Sequence, residues 1–261
     1  MLEEIRSLPP LPNSIMRIQQ ICAQEDTNIV ELSGVIEKDP MLSANILKSV
    51  NSPLYGLSKE ISSISRAVML FGISMIKGFA ASSIIKKTII TDLSAYHVDI
   101  DKLSDISAVQ TALAKEWYGK VDKSMLPMLQ TASFLMELGK FITSLKIIDL
   151  GKSDEFYNQI KSLSDFSSIE IELLGVSSYQ IAAKMFEHWN FEVELVEILS
   201  QILADRVKNN HSKVLSVIAC AVNTNGYFTE TNIEKSLELC DRYSLDRDSF
   251  LEAVEILKSR D

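Results

Sequence analysis

The segment IEKDPMLSANILKSVNSPLYG, residues 36 to 56, carries the strongest structural signals in the chain. Asp39 and Pro40 predict a helix start, because the carboxylate can accept hydrogen bonds from first-turn amides and proline gives up an amide that would have no partner there. The apolar residues that follow have helical spacing and would face inward: Met41, Leu42, Ile46, Leu47 and Val50. We expect this helix to end at Asn51-Ser52-Pro53.

The segments on either side follow the same pattern of helix and stop. Asn28 and Glu31 match a capping box for a helix that leads into Asp39. On the other side, Ser63 can cap residues 64–71, and Gly72 can close that helix. The chain then continues to residue 90 as a long, mostly buried helix.

The remainder reads as helices separated by glycine or polar stops, and we predict an all-α fold, a two-lobed helical bundle. Residues 92–101 are polar and lack periodicity, so they are expected to be the connection between the lobes. The predicted domains are an N-terminal helical lobe (1–92), a second helical lobe (93–210) and a C-terminal helical extension (211–261) that packs on the second lobe.

Composition and charge narrow the function classes. The 261 residues are 46% hydrophobic, which is enough for a sizeable core, and 26 basic against 35 acidic residues give a net charge of −9. That sign opposes binding to a phosphate backbone, so we expect no direct nucleic-acid partner. The most apolar stretch, 67–85, is interrupted by Lys77 and two glycines, and no membrane span is expected. Three distant cysteines (Cys22, Cys220 and Cys240) suit reduced thiols in the cytoplasm.

Common signatures of catalysis and cofactor binding are missing from the sequence. It contains neither a G-x-S-x-G elbow nor a glycine-rich phosphate loop. His97, His188 and His211 are far apart and lack ligand spacing such as H-x-x-x-H. Trp117 and Trp189 are interpreted as core residues. We therefore expect no catalytic residue, no bound metal and no cofactor.

Several segments together resemble one family of bacterial signalling proteins. LPPLPNSIMRI (8–18), the segment 36–56 and ISSISRAVMLFGISMIKGFA (61–80) resemble, in order and spacing, the N-terminal half of the HDOD family, the HD-related output domains. SFLMELGKF (133–141) and LLGVSSYQIAAKMFEHWN (173–190) are similar to its second half. The resemblance implies an HD-like second lobe and covers roughly residues 7 to 205.

The resemblance also implies where a metal site would stand. Catalytic HD phosphohydrolases hold metal ions with a His-Asp pair that falls here on Met136-Glu137, with an earlier histidine that falls on Ile106 and a later one that falls on Ser178. A divalent ion that activates water needs several converging ligands, which one glutamate cannot supply. A methionine thioether suits soft ions rather than hard ones. We predict a degenerate metal site at these four positions.

Glu137 itself has two interpretations, a residual metal ligand or part of an ordinary helix end. The second is favoured, with Gly139 as a left-handed stop and Lys140 near the exposed carbonyls of the helix terminus.

Two functions are compatible with these patterns. The first, implied by the resemblance, is a non-catalytic bacterial regulatory module that contacts protein partners in the cytoplasm, with a link to cyclic-dinucleotide, chemosensory or two-component pathways. The alternative is a degenerate HD-type phosphohydrolase or nucleotide-binding protein, and direct regulation of DNA is a weaker third option. The candidate interaction surface comprises Asp39, Asn51, Ser52, Pro53, Tyr55 and Gly56. These residues also allow a purely structural interpretation, in which Asp39 caps a helix and Tyr55 anchors a turn.

Overall fold

The computed structural model describes residues 5–22, 28–88 and 92–260. Helices dominate this part of the chain, which confirms the all-α prediction. A short antiparallel hairpin is also present, in which Val222 pairs with Tyr227 and Asn223 with Gly226. The described residues form two compact units: one within residues 8–90, and one that combines 5–7 with 92–260.

The first unit contains four helices and a single 3₁₀ turn within its described residues. They are α1 (Asn13–Cys22), α2 (Ile29–Glu37), α3 (Pro40–Val50), the turn Pro53–Tyr55 and α4 (Ile64–Thr88). The Asp39 side chain accepts a hydrogen bond from the Leu42 amide at 3.0 Å, as predicted for the start of α3. Fully buried residues of three helices, Leu32, Ile46 and Ile76, contribute to the core of this unit.

The start of α2 departs from the predicted capping box. Asn28 does cap the helix, since its Oδ1 accepts hydrogen bonds from the amides of Val30 and Glu31. Glu31 does not return a bond to Asn28, because its carboxylate pairs with Arg17 at 2.6 Å. The cap is confirmed, and the reciprocal half of the box is wrong.

The long helix α4 is interrupted where the sequence predicted a break. Gly72 has φ +79° and ψ 163°, a conformation that glycine adopts without the strain a side chain would add. Within the described residues, the segment Ile64–Ser83 meets the length and hydropathy requirements of a membrane-spanning helix. However, 56% of its most apolar stretch is buried inside the protein, and the core helix of a folded protein meets the same requirements.

The second unit is larger. In chain order it contains the 3₁₀ turn Ser94–Tyr96, α5 (Ile100–Val121), α6 (Leu126–Leu135), the 3₁₀ turn Met136–Gly139, α7 (Lys140–Asp149), α8 (Ser153–Ile160), α9 (Ser167–Leu174), α10 (Ser178–His188), α11 (Val193–Ser200), α12 (Asn210–Ala221), β1 (Val222–Asn223), β2 (Gly226–Tyr227), α13 (Glu230–Tyr243) and α14 (Arg247–Lys258). The last helix packs on α5, where the Trp117 and Phe250 rings meet edge to face at 5.1 Å.

The predicted connection, residues 92–101, begins close to the division between the two units, and part of it is buried. Ala95 and Tyr96 are 0% and 1% exposed, and they belong to a hydrophobic cluster with residues of α7, α8 and the start of α9. The Tyr96 ring meets Phe156 edge to face at 5.2 Å. A short apolar pair inside a polar segment has no periodicity to reveal its burial, so the sequence did not predict these contacts.

Candidate functional site

Glu137 lies in the 3₁₀ turn between α6 and α7, and its carboxylate is buried. Oε2 lies 2.6 Å from the Nζ atom of Lys140, and the two side chains are 1% and 2% exposed. Oε2 accepts no aligned hydrogen bond from the described residues, so the contact with Lys140 is an ion pair. The other oxygen, Oε1, accepts a hydrogen bond from the Gln110 amide at 2.8 Å.

Gln110 connects this pair to a distant part of the second unit. It lies on α5, and its Nε2 donates both to Glu137 and to the Val222 carbonyl, each at 2.8 Å. The side chain is fully buried, and its Oε1 receives no hydrogen bond from the described residues. Gln110 therefore holds the Glu137 carboxylate in place against the first strand of the hairpin.

Two sequence predictions about the Glu137 turn are wrong. Gly139 does not adopt a left-handed conformation, because its φ is −63° and its ψ is −25°. Its need for glycine is steric: a Cβ atom would lie 1.8 Å from the Ser178 carbonyl oxygen and 2.7 Å from the Ala182 amide nitrogen. Lys140 does not neutralise exposed carbonyls either, because it is 1% exposed and points at Glu137. The close backbone approach at Gly139 brings α10 onto the turn.

The Lys140 ammonium group has three further neighbours besides Glu137. Its Nζ lies 4.9 Å from the centre of the Tyr179 ring and 5.5 Å from the centre of the Tyr96 ring. Ser178 Oγ lies 3.5 Å away. Aromatic faces at these distances attract a cation, and the attraction is stronger where water is excluded.

A second buried carboxylate, Glu170, completes the cluster. Its Oε2 accepts a hydrogen bond from the Ser178 amide at 2.6 Å, and its Oε1 accepts one from the Tyr96 hydroxyl at 2.7 Å. Because Ser178 begins α10, Glu170 places negative charge at the N-terminus of that helix, where the helix dipole stabilises it.

Two buried tyrosines in the cluster stay protonated over a wide pH range. Burial raises the pKa of Tyr96 well above its ordinary value, and the charge of Glu170 adds to the effect. Burial also raises the pKa of Tyr179, with Glu137 as the next cause. The Tyr96 hydroxyl is therefore a stable hydrogen-bond donor to Glu170.

The side chains at the four implied metal positions include one carboxylate, which is already paired with a cation. Ile106 and Met136 are fully buried and offer a hydrocarbon and a thioether. Ser178 is close to Lys140, and Glu137 is paired with the same ammonium group. A positive charge 2.6 Å from the carboxylate opposes the binding of a second cation there. Across the described ranges, no group of three or more His, Cys, Asp and Glu side chains is suited to a metal ion.

The three histidines lie on separate elements. His97 follows the Ser94–Tyr96 turn and stacks on Tyr157 at 3.5 Å. His188 ends α10, whereas His211 lies in the first turn of α12. Burial lowers the pKa of His211.

The candidate interaction surface in the first unit is only partly exposed. Tyr55 is 2% exposed and meets Phe71 and Phe79 edge to face at 5.0 and 6.4 Å. The Asn51 side chain accepts a hydrogen bond from the Ile61 amide and donates one to the Ile61 carbonyl, both at 2.8 Å. Gly56 has φ +60° after the 3₁₀ turn. Asp39 and Tyr55 serve the structural roles that the sequence allowed as an alternative, and Asn51 also stabilises the local backbone.

The remaining members of that surface differ in exposure. Ser52 is half-buried, while Pro53 and Gly56 are exposed. Next to Asp39 in the same segment, Met41 is 59% exposed.

A cavity of about 550 Å³ opens elsewhere in the second unit. Residues from the end of α9 to the end of α11 line it: Leu174, Gly175, Val176, Gln180, Ile181, Ala183, Lys184, Glu187 and Ser200. None of them belongs to the cluster around Glu137.

Sequence reasoning missed five members of the buried cluster: Gln110, Lys140 in its buried role, Glu170, Tyr96 and Tyr179. One signal was available, because Lys140 follows Glu137 by three residues inside an apolar stretch, a spacing that allows a pair. The other four come from distant positions, and no local pattern connects them to Glu137.

Comparison with known proteins places this architecture in a family. A 71-residue stretch is 31% identical to an uncharacterised protein of Treponema pallidum (strain Nichols), covering 27% of this chain and only 14% of that protein. A solved structure from Marinobacter aquaeolei VT8, described provisionally as a signal transduction protein, has a TM-score of 0.72 at 21% identity. The aligned region covers 99% of this chain and 58% of the Marinobacter aquaeolei chain.

A second solved structure, described provisionally as a phosphohydrolase from Shewanella amazonensis SB2B, has a TM-score of 0.68 at 18% identity and covers 99% and 94% of the two chains. At these identities the two structures establish the fold alone. The HDOD domain model matches residues 8–203, three quarters of the chain and nearly the range that the motifs indicated. The chain belongs to the HDOD domain family.

Proposed function

We propose that this chain is a non-catalytic bacterial signal-transduction module that acts in the cytoplasm through contacts with other proteins. The observation that carries the proposal is the buried pair of Glu137 and Lys140 at the position where the family resemblance puts a metal. Membership of the HDOD family and a fold shared with a described signal transduction protein also support it.

The chemistry of the cluster favours regulation over hydrolysis. A metal that activates water must be held by several ligands and must keep an open position for that water. Here one carboxylate is neutralised by Lys140, and the neighbouring positions hold Ile106 and Met136. These side chains can position helices, but they cannot generate a metal-bound nucleophile.

The rival proposal is a degenerate phosphohydrolase or a nucleotide-binding protein, and a shared fold with a described phosphohydrolase keeps it open to test. The decisive experiment is metal analysis of the purified full chain combined with a screen of phosphomonoesters, phosphodiesters and nucleotides. We expect metal well below one equivalent and no turnover. Stoichiometric manganese, iron or magnesium with turnover that Glu137→Gln abolishes would refute the non-catalytic role.

We further propose that the partner contacts the exposed part of the segment 39–56 in the first unit. Met41→Glu tests this, because Met41 is 59% exposed in the first turn of α3, where a negative charge suits the helix dipole. The variant should keep its fold and should lose a captured partner. Val193→Glu is a matched control, since Val193 is 73% exposed at the first position of α11 in the other unit.

Affinity capture from the native cell should therefore recover the same partner with wild type and Val193→Glu, but not with Met41→Glu. Equal recovery with all three proteins would remove this segment from the contact. Tyr55→Ala is a poor probe, because it deletes a core ring that is 2% exposed.

A further inference from the structure

A buried ammonium group in the second unit has the surroundings of a bound cation. The Lys140 Nζ atom faces one carboxylate oxygen of Glu137 at 2.6 Å and the rings of Tyr179 and Tyr96 at 4.9 and 5.5 Å. Ser178 Oγ lies 3.5 Å away. We call these four residues, Glu137, Ser178, Tyr179 and Tyr96, the cation cage.

We propose that the cation cage is an alkylammonium-binding site whose ligand is supplied by the chain itself, through Lys140, in place of the metal ion that the family resemblance implies. The composition of the cage supports this assignment. A single carboxylate with aromatic faces suits an organic ammonium ion, which aromatic cages recognise. A hard divalent ion requires several oxygen or nitrogen ligands, and the cage does not provide them.

The environment explains why the cation has to be present. Glu137 is 1% exposed, and an isolated buried carboxylate is strongly destabilising unless it is paired or protonated. Gln110 donates one hydrogen bond to Oε1, but it carries no charge. The tethered ammonium therefore provides the compensating charge, with no need for a cation from solution.

The tether also has a positional consequence. Lys140 begins α7, Glu137 lies in the preceding turn, and Ser178 and Tyr179 begin α10. The ammonium group thus links the turn to the N-terminus of α10, the same two elements that meet at Gly139. This link between the turn and α10 does not depend on the proposed signalling role.

The test is thermal unfolding of the full chain with variants at both ends of the pair. Lys140→Met keeps the side-chain volume but leaves Glu137 without a cation, and its Tm should fall by roughly 10 °C. Adding Glu137→Gln to that variant removes the unpaired charge, so the double variant should recover at least half of the loss. If the double variant is no more stable than Lys140→Met alone, the pairing is not what the site requires and the proposal fails.

Truncation provides the direct assay of the cage. Lys140→Ala leaves space for a free amine, and propylammonium chloride should raise the Tm of this variant in a saturable way, above the effect of sodium chloride at equal ionic strength. The same salt should have no specific effect on Glu137→Gln/Lys140→Ala, in which the carboxylate is absent. Stabilisation of Lys140→Ala by manganese or magnesium but not by the amine would overturn the assignment in favour of a latent metal site.

If Lys140→Ala does not fold, the comparison of Lys140→Met with its double variant still decides the question. These measurements are independent of the proposed function. Metal content and turnover of the wild-type protein test the non-catalytic role, whereas the unfolding of the variants tests the cage.

Discussion

The segment 39–61 of the first unit and the cluster around Glu137 in the second satisfy their polar groups in different ways. Asp39 accepts a hydrogen bond from an amide three residues away, and Asn51 forms hydrogen bonds with the backbone of Ile61, ten residues away. Gln110, in contrast, bonds residues that are 27 and 112 positions away in the chain. The first arrangement needs only residues of one continuous segment, whereas the second requires distant parts of the unit to be assembled.

The difference also changes how the two regions should respond to mutation. A helix cap contributes about 1 kcal/mol and acts through its own helix. A buried ion pair that loses one partner costs about 3–5 kcal/mol, because the other charge is left without compensation. We therefore expect small and additive effects in the first region and large and coupled effects in the second.

The largest effect is expected from Gly139→Ala. The added Cβ would lie 1.8 Å from the Ser178 carbonyl oxygen, and neither backbone can move without separating α10 from the turn. We expect a loss of more than about 4 kcal/mol in unfolding free energy, measured by urea denaturation, or failure to fold.

Gly119→Ala is the matched control for that substitution. Gly119 lies in α5, where an added Cβ would meet nothing within 4 Å. Because alanine favours a helix over glycine by up to about 1 kcal/mol, this variant should be unchanged or slightly more stable. Similar losses at both glycines would show that the close approach at Gly139 is not a special constraint.

An intermediate effect is expected from Tyr96→Phe. The change removes the hydroxyl that donates to Glu170 at 2.7 Å and leaves a buried carboxylate oxygen without that donor. The expected loss is about 2 kcal/mol in unfolding free energy. Tyr157→Phe, at a half-buried ring stacked on His97, should cost less than about 0.5 kcal/mol.

The same variant has a signature in alkaline solution. The pKa of Tyr96 is raised in the folded protein, so above pH 10 the unfolded chain releases a proton that the folded chain retains. Wild-type stability should fall as the pH rises above that point, and Tyr96→Phe should show a shallower fall. Parallel pH profiles for the two proteins would contradict a buried, protonated Tyr96.

The smallest effects are expected at the helix caps of the first unit. Asp39→Ala removes the acceptor for the Leu42 amide and should cost about 1 kcal/mol, and Asn28→Ala should cost a similar amount. The double variant should lose the sum to within about 0.5 kcal/mol in the same urea experiment. Strong coupling between the two caps would contradict the expectation that the first unit responds locally while the cluster around Glu137 responds as a whole.

The parts of the fold that sequence could predict are those with a local cause. The caps at Asn28 and Asp39 and the break at Gly72 depend on residues within a turn of one another, and all three were correctly placed. The errors share the opposite property. Lys140 is buried because Glu137, Tyr96 and Tyr179 surround it, and the contacts with the two tyrosines follow from no local pattern.

The candidate site shows the same division. The resemblance placed the implied metal positions, and the hydrocarbon of Ile106 and the thioether of Met136 argued against a hard metal ion before any contact was known. The sequence could not show that Tyr55 is a core residue, nor that Glu170 accepts a hydrogen bond from the first amide of α10. Both facts depend on which helices pack against each other.

The amino-acid sequence by itself determined that the chain is helical, where several of its helices begin and break, and which side chains stand at the four implied metal positions. These properties follow from hydrogen bonding and side-chain chemistry over a few residues. Only the tertiary structure decided that a lysine is buried against Glu137, because a charged side chain leaves water only where distant residues compensate for its lost solvation.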